Sequence, residues 1–344
     1  MSRCAANILW RKSGDACQSG NQLTNGWIIL DKPLGLGSTQ AVAAVKRNLR
    51  SAGLGKVKVG HGGTLDPLAI GVLPIALGEA TKLCGRMLDA SKIYDFTVQF
   101  GTQTSGLDAE GDVVAMSDVR PTLAQIEAVL PEFTGAIEQI PPAFSAIKID
   151  GKRAYDLARA GEVVEMKPRA VAIHELTVRH AELVSASIHP QTQVQPDKWT
   201  LKQVQGDERL LTIILTAHVS KGTYIRSLAR DIALALGTVG HVTMLRRTKA
   251  GPFSLDHAIS LDKLNEIGQG RNASELILPL EAGLDDIPVL DLTPEMAGAI
   301  RQGRVANGIA TDDGFYWARD AEMRPVALIE ILAGTLKIVR GFNI

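Results

Sequence analysis

Residues 60–69, which read GHGGTLDPLA, place a histidine and a carboxylate on a glycine-rich segment. Such a segment could bind phosphate through its backbone, supply part of a metal site, hold a nucleophile on a turn, or form only a tight bend. Glycines near a helix N-terminus suit an anion. However, the Gly-Lys-Ser/Thr ending of a P-loop is absent, and no G-x-G-x-x-G opens a helix after a strand. We therefore expect no nucleotide cofactor.

A metal site would need more ligands than His61 and Asp66. The other six histidines are scattered along the chain without a pair at the i, i+4 spacing, so we expect no metal. Pro67 restricts Asp66 to extended or turn conformations and removes it from a helix interior. A carboxylate held in this way can attack a sugar carbon or add to an electrophilic ring carbon. An ordinary turn remains the simpler interpretation of this segment taken alone.

A second segment, SKGTYIR at residues 220–226, follows an alternating strand and opens a helix. Arg226 is therefore expected in a first helical turn, where a cation opposes the helix dipole. This placement indicates an anionic partner, although a solvated arginine on a helix surface is the plain alternative. Taken alone, Tyr94 is predicted to be a core aromatic at a strand start, and Leu245 an ordinary core residue.

The chain has 344 residues, of which 45% are hydrophobic, and its 37 basic residues balance its 37 acidic residues. That balance is a sum of opposed segments. Residues 32–65 contain six basic residues and no acidic one, and residues 217–255 contain six basic residues and one acidic residue. Residues 256–295 contain nine acidic residues and two basic ones. Because the two basic segments flank the motifs above, charge favours a polyanionic partner only locally.

Three cysteines without C-x-x-C spacing argue against a disulfide framework and against a zinc knuckle. No apolar run approaches the length of a membrane span, and the apolar residues 5–10 are too few for a signal peptide. We therefore expect a soluble cytoplasmic protein with no membrane partner. Residues 1–26 lack periodicity and are predicted to form a flexible N-terminal extension.

Strands and helices do not alternate strictly along the chain, which favours an α+β fold with a mixed, mainly antiparallel sheet. Residues 93–100 alternate with Tyr94 and Phe96 on one face, which predicts a half-buried strand. Thr122 and Gln125 form a capping-box pattern. Periodicity predicts further strands at residues 27–30, 171–178, 211–219 and 242–246, and helices at residues 38–49, 79–88, 122–130, 151–161 and 224–236.

Residues 181–210 are rich in glutamine and lack periodicity, which predicts an insertion at a hairpin tip. Short strand-like pieces separated by Gly and Asp follow at residues 315–318, 326–332 and 336–339. We therefore predict a main domain at residues 27–280 and a small C-terminal β domain at residues 288–344.

Five ordered blocks between residues 27 and 255 resemble the tRNA pseudouridine synthases of the TruB type, which convert uridine 55 in the T-arm of tRNA to pseudouridine. The blocks are LDKPLGLGS at residues 30–38, GHGGTLDPLAIGVLPIALGEATK at 60–82, PPAFSAIKIDGKRAYDLARAG at 141–161, SKGTYIR at 220–226 and GHVTMLRR at 240–247. Five blocks in this order are far more specific than any one of them.

The resemblance implies three catalytic residues. Asp66 matches the aspartate that breaks the bond between uracil N1 and ribose C1′, and Arg226 matches the arginine that pairs with it. Tyr94 matches the tyrosine that packs on the flipped base and helps to remove the C5 proton. Whether Asp66 attacks C1′, adds to the ring or removes a sugar proton is left open by the residues.

The resemblance also implies how the substrate is held. His61 matches a histidine that holds the flipped-out nucleotide, and Tyr224 and Leu245 match residues that line the uracil pocket. The residues expected to support the catalytic loop or to contact RNA are Lys32, Lys46, Arg47, Arg246 and Arg247. The implied protein is a monomeric isomerase without a cofactor, and its C-terminal domain is expected to be PUA-like and RNA-binding.

Residues 104–106, Thr-Ser-Gly, depart from the Thr-Asp-Thr pattern that is usual in the family. Two other function classes are kept as alternatives. One is an RNA-binding or tRNA-folding protein in which catalysis is secondary or lost. The other is a carboxylate-dependent glycoside or nucleoside hydrolase, for which no paired carboxylate motif is apparent.

Overall fold

The computed structural model describes residues 25–145, 147–149, 151–162, 164–183, 208–269, 273–304, 306–307 and 311–344. Nearly all of the expected N-terminal extension and most of the expected insertion lie outside the described residues. The strands that flank the expected insertion extend a few residues into its approximate bounds. Residues 181–183 complete one strand and Leu210 begins the next, and Leu183 and Leu210 pair across the two strands.

The described residues form eighteen strands and seven α-helices. The strands are β1 Gly26–Lys32, β2 Val59–His61, β3 Ala69–Leu77, β4 Lys92–Phe100, β5 Thr102–Thr104, β6 Val113–Met116, β7 Gly135–Gln139, β8 Lys148–Ile149, β9 Lys152–Arg153, β10 Arg169–Leu183, β11 Leu210–Val219, β12 Gly240–Ala250, β13 Phe253–Ser254, β14 Val289–Asp291, β15 Ala306–Asn307, β16 Gly314–Arg319, β17 Pro325–Leu332 and β18 Thr335–Gly341. The α-helices are α1 Ser38–Ser51, α2 Cys84–Asp89, α3 Leu123–Val129, α4 Ala154–Arg159, α5 Ile225–Ala235, α6 Leu261–Gly268 and α7 Pro294–Arg301.

Nine strands form one large sheet in the order β1-β3-β12-β4-β11-β10-β7, with β2 beside β3 and β13 beside β12. Within it only β3 and β12 run parallel, and the other pairs of this sheet are antiparallel. The predicted α+β fold with a mixed, mainly antiparallel sheet is therefore confirmed. The one parallel pair brings the catalytic-loop end of β3 against β12, on which the expected pocket residue Leu245 lies.

The alternation of β4 explains how the sheet acquires a buried face. Phe96, Val98 and Phe100 are fully buried, and Leu228 and Ile232 of α5 belong to the same apolar cluster. Side chains on a strand point alternately to opposite faces, so this pattern places α5 over one face of the sheet. The packing fixes the direction in which the first turn of α5 points.

Two helical predictions differ from the structure. The helix expected at residues 79–88 is split into a 3-10 turn, Gly78–Leu83, followed by α2. The helix expected at residues 151–161 begins later, at Ala154, because the preceding residues pair as the short hairpin β8–β9. Paired strands satisfy the backbone groups that the helix would otherwise have bonded.

A second sheet of five strands follows in the order β14-β16-β17-β18-β15, with α7 packed on it. A shared apolar cluster joins the two sheets: Trp27 of β1 and Leu280 belong to it together with Leu328 of β17 and Phe342. The Trp27 indole N–H also donates to the Leu280 carbonyl at 3.1 Å. None of the helices in the described residues combines the length and apolar character that a membrane span requires.

Candidate active site

Asp66 lies on a short loop between β2 and β3. Hydrogen bonds hold the backbone groups of the residues on either side of it. The Ser38 hydroxyl, at the start of α1, accepts from the Leu65 amide and donates to the Leu65 carbonyl, both at 2.9 Å. The Gly35 amide donates to the Pro67 carbonyl at 2.9 Å. These contacts hold the loop, and the Asp66 side chain is 45% exposed and faces a small pocket.

Lys32, at the end of β1, is fully buried, and its ammonium group donates to three backbone carbonyls: Leu36 at 2.6 Å, Pro33 at 3.1 Å and Pro67 at 3.3 Å. Burial lowers the pKa of Lys32 to about 8, and the nearby Asp66 carboxylate opposes that shift. The side chain therefore supports the loop from inside the protein, where it cannot reach an RNA phosphate.

Arg226 lies in the first turn of α5, as the sequence predicts, and its side chain is only 7% exposed. Its Nη2 atom is 2.8 Å from Asp66 Oδ2, and its Nη1 atom is 2.9 Å from Asp108 Oδ2. The guanidinium also donates to the carbonyls of Gly106 at 2.8 Å and Phe144 at 2.9 Å. A cation in this position pairs with two carboxylates and is oriented by two carbonyls, so its direction is tightly defined.

Asp108 is a site residue that the sequence analysis missed. It follows the Thr-Ser-Gly departure at residues 104–106 and, with 17% of its side chain exposed, pairs with Arg226 from the side opposite Asp66. An available signal was an acidic residue in the glycine-rich segment of residues 101–111.

Gln139, at the end of β7, was also missed. It is 2% exposed, and its Oε1 atom accepts from the Tyr224 amide at 2.7 Å. Tyr224 precedes α5 and has no side-chain cap of its own, so Gln139 satisfies a backbone donor at this helix N-terminus. The next residue, Ile140, accepts from the Ser227 hydroxyl at 2.8 Å. The segment after β7 is thereby bonded along the first turn of the helix that carries Arg226.

A small pocket opens between the Asp66 loop, α5 and β12. It is lined by Asp66, Leu68, Ala69, Asp108, Arg226, Val242, Thr243, Met244 and Leu245. Its walls are thus mainly apolar, with the two carboxylates and the arginine meeting at one end. The pocket therefore combines an apolar surface with a paired carboxylate.

Tyr94, Tyr224 and His61, all expected at the substrate site, are not among the residues that line this pocket. Tyr94 is half-buried on β4 and packs together with Leu245 between the two apolar clusters of the large sheet. Burial raises the pKa of the Tyr224 hydroxyl, so this group keeps its proton at neutral pH. Burial and the charge of Arg247 lower the pKa of His61, and its Nδ1 atom is buried without a partner among the described residues.

Four of the basic residues expected to contact RNA fall into different environments. Lys46 and Arg47 are exposed on α1 and line a shallow surface depression. Arg246 pairs with Asp31 at 3.0 Å and its side chain is 25% exposed. Arg247, by contrast, is 1% exposed. An enclosed guanidinium cannot reach a phosphate, so this burial does not suit contact of Arg247 with RNA. Support of the catalytic loop, the other role expected of Arg247, stays a prediction.

Within the described residues, no group of three or more His, Cys, Asp or Glu side chains could hold a metal ion.

Two family models match the chain. Residues 50–197 match the model described as TruB family pseudouridylate synthase (N terminal domain). Residues 226–285 match the model described as tRNA pseudouridylate synthase B C-terminal domain. Strands β14–β18 lie beyond both matched ranges.

Curated relatives and solved structures agree with these matches. "tRNA pseudouridine synthase B" of Novosphingobium aromaticivorans is 63% identical over 94% of this chain and 98% of the relative. The protein of the same name from Zymomonas mobilis is 53% identical over 93% of this chain and 96% of the relative.

Among solved structures, a chain of an H/ACA RNP bound to a substrate RNA containing 2′-deoxyuridine has a TM-score of 0.66 at 22% identity, covering 94% of this chain and 87% of that one. A chain of a Cbf5-Nop10-Gar1 complex has a TM-score of 0.65 at 26% identity, covering 94% and 85%. The first of these likenesses concerns the fold alone. On the family matches and the identity to curated relatives, the chain belongs to the TruB family of tRNA pseudouridine synthases.

Proposed function

We propose that this protein isomerises uridine 55 in the T-arm of tRNA to pseudouridine. The observation that carries the proposal is the ion pair between Asp66 and the buried Arg226 at one end of a mainly apolar pocket. That arrangement offers a carboxylate to a sugar beside apolar side chains that can pack on a base. The names and identities of the relatives support the same activity.

The reaction is an isomerisation within one nucleotide. The bond from uracil N1 to ribose C1′ breaks, a bond from C5 to C1′ forms, C5 loses its proton and N1 gains one. No electrons, phosphate or water are consumed overall, so the chemistry itself requires no cofactor. A uridine stacked in an RNA loop must first swing out, which costs a few kcal/mol and favours a stacking, dry pocket.

Asp66 acts on the flipped nucleotide by one of three routes: attack on C1′, addition to the ring or removal of a sugar proton. Tyr94 packs on the base and helps to remove the C5 proton, Leu245 lines the pocket, and Tyr224 contacts the uracil from beside Asp66. His61 holds the flipped nucleotide as a neutral imidazole, which its lowered pKa supports.

Recognition of the tRNA depends on surfaces outside the pocket. The exposed Lys46 and Arg47 on α1 contact phosphates, with Arg246 nearer the pocket. The main domain spans residues 27–280, and residues 288–344 form a PUA-like RNA-binding domain, which the five-stranded sheet supports. The protein acts as a monomer in the cytoplasm, and sedimentation of the free protein tests the first half of that statement.

An unmodified tRNA transcript distinguishes this function from its rivals. The transcript is incubated with wild-type protein, Asp66→Asn or the control Asp89→Asn, which removes an exposed carboxylate paired with Lys221. Pseudouridine is then mapped by carbodiimide labelling and primer extension. Wild type and Asp89→Asn should give a stop at position 55, and Asp66→Asn should give none.

Binding of tRNA by the wild type without any stop would identify an RNA-binding protein instead. Release of free uracil would identify a hydrolase. Equal activity of Asp66→Asn and wild type would overturn the role of Asp66.

A further inference from the structure

Arg247 lies directly beneath the loop that carries Asp66. Its neighbour Arg246 points to the opposite face of the sheet, where it pairs with Asp31 at 3.0 Å, because successive side chains of a strand alternate. Two adjacent arginines of the same basic segment therefore have different surroundings, and only Arg247 is enclosed, at 1% exposure.

The guanidinium of Arg247 binds backbone carbonyls. Nε donates to Val72 at 2.7 Å, Nη2 to Gly63 at 3.2 Å and Nη1 to Thr64 at 3.3 Å. Within the described part of the chain, no carboxylate pairs with it. Burying a charge among neutral acceptors costs free energy. This arginine therefore stabilises the fold less than an apolar residue would.

The backbone of β3 approaches the backbone of Arg247 closely. Gly71 of β3 is paired with Arg247 in the one parallel pair of the large sheet. A Cβ atom at Gly71 would lie 2.2 Å from the Arg247 carbonyl oxygen, and the φ of Gly71 is +100°. Only glycine tolerates both conditions, so β3 and β12 approach closely at the residue whose side chain extends to the loop.

We propose that Arg247 is a positioning residue for the reaction, which holds the Gly63 and Thr64 carbonyls so that Asp66 meets Arg226 and the substrate at the correct distance. Lys32 bonds the Pro67 carbonyl on the other side of Asp66. Lys32 and Arg247 thus bond the backbone on the two sides of Asp66. Neither of these buried cations pairs with the carboxylate itself. This inference rests on the proposed function and assigns Arg247 no contact with RNA.

The proposal predicts a specific kinetic signature. Displacing a catalytic group by about 1 Å can lower the rate about 10²-fold without changing how the rest of the substrate binds. Loss of the guanidinium of Arg247 should therefore reduce the single-turnover rate and leave the affinity for tRNA unchanged. A phosphate contact would show the opposite pattern.

The test compares Arg247→Met, Arg247→Lys and Arg120→Met in the full-length protein. Arg120 is the matched control because its guanidinium also donates to two carbonyls, Ser117 and Val119, away from the loop. Two measurements are made: single-turnover tritium release from tRNA labelled at uracil C5, and amide hydrogen exchange of a peptide covering residues 60–69 in the free protein. The exchange measurement does not depend on activity.

Arg247→Met should lose about 10²-fold in rate, with tRNA affinity within about twofold of wild type and faster exchange in residues 60–69. Arg247→Lys should recover part of both, and Arg120→Met should change neither. Unchanged exchange in folded Arg247→Met would overturn the proposal even if the wild type proved inactive on tRNA. A rate within about threefold of wild type, or a loss confined to affinity, would also overturn it.

Discussion

Nη2 of Arg226 lies 2.8 Å from Oδ2 of Asp66, and the other terminal nitrogen of the same guanidinium is committed to Asp108. The two carboxylates reach Arg226 from separate loops. Because a guanidinium is planar and rigid, its orientation toward Asp108 also determines its orientation toward Asp66.

Arg226→Lys should therefore be a poor substitute although it preserves the charge. One ammonium group cannot serve both carboxylates and the carbonyls of Gly106 and Phe144 in the same geometry. We expect the single-turnover rate of pseudouridine formation to fall at least about 10²-fold, with tRNA affinity nearly unchanged. A rate close to wild type would show that only the charge of Arg226 matters.

Asp108→Asn tests the remote half of the same arrangement. The asparagine has the shape of the aspartate but no charge, so Arg226 loses a charge-assisted hydrogen bond worth about 1.5–3 kcal/mol. We expect a decrease of about 10- to 100-fold in kcat, measured by tritium release, without a matching loss of affinity for tRNA. Asp231→Asn, which removes a carboxylate paired with Arg230, is the control and should leave kcat unchanged.

Gln139 can be tested through stability. Gln139→Met keeps the volume but leaves the Tyr224 amide unpaired, which should lower the free energy of unfolding by about 1–3 kcal/mol. Gln139→Glu retains an acceptor oxygen at this place. It should preserve the hydrogen bond from the Tyr224 amide that Gln139→Met abolishes. Urea unfolding of both variants measures the difference. Equal stability of Gln139→Met and wild type would mean that the bond to Tyr224 contributes nothing.

The double variant Lys46→Ala with Arg47→Ala should weaken tRNA binding without lowering the single-turnover rate at saturating protein. Each lost phosphate contact should reduce the slope of log affinity against log salt by about 1. Filter binding across a salt series measures this slope. Lys263→Ala is the control, since Lys263 is exposed on α6 within the acidic segment of residues 256–295, and its salt slope should match that of wild type.

Lys92 should make stability depend on pH in the alkaline range. It is 7% exposed and caps α2 by donating to the carbonyls of Leu88 and Ala90, both at 2.6 Å. Burial lowers the pKa of Lys92 from 10.5 to about 8. Between these values the unfolded chain binds a proton that the folded chain does not, so this group adds stability as the pH rises.

Urea unfolding at pH 7.5, 9 and 10.5 can isolate that contribution by comparison with Lys92→Met. The free energy of unfolding of wild type minus that of Lys92→Met should increase across this range. A difference that stays constant or falls with pH would contradict the lowered pKa.

The sequence alone predicted several strands and helices and the chemical character of the site, because these depend on local pattern, although it did not predict β3 or α6. Alternation along residues 93–100 predicted β4, and the Thr122–Gln125 capping box is present at the start of α3. The position of Arg226 in a first helical turn, opposed to the helix dipole, already called for an anionic partner. The SKGTYIR and GHGGTLDPLA motifs supplied both members of the ion pair.

Only the tertiary structure decided which residues support that pair. Asp108 and Gln139 carry no local signature that links them to Arg226, because their contacts cross from one loop or strand to another. Arg246 and Arg247 are chemically identical in the sequence. The phase of β12 and its parallel pairing with β3 leave one at the surface and bury the other beneath Asp66, since a shift of one residue along a strand reverses its face.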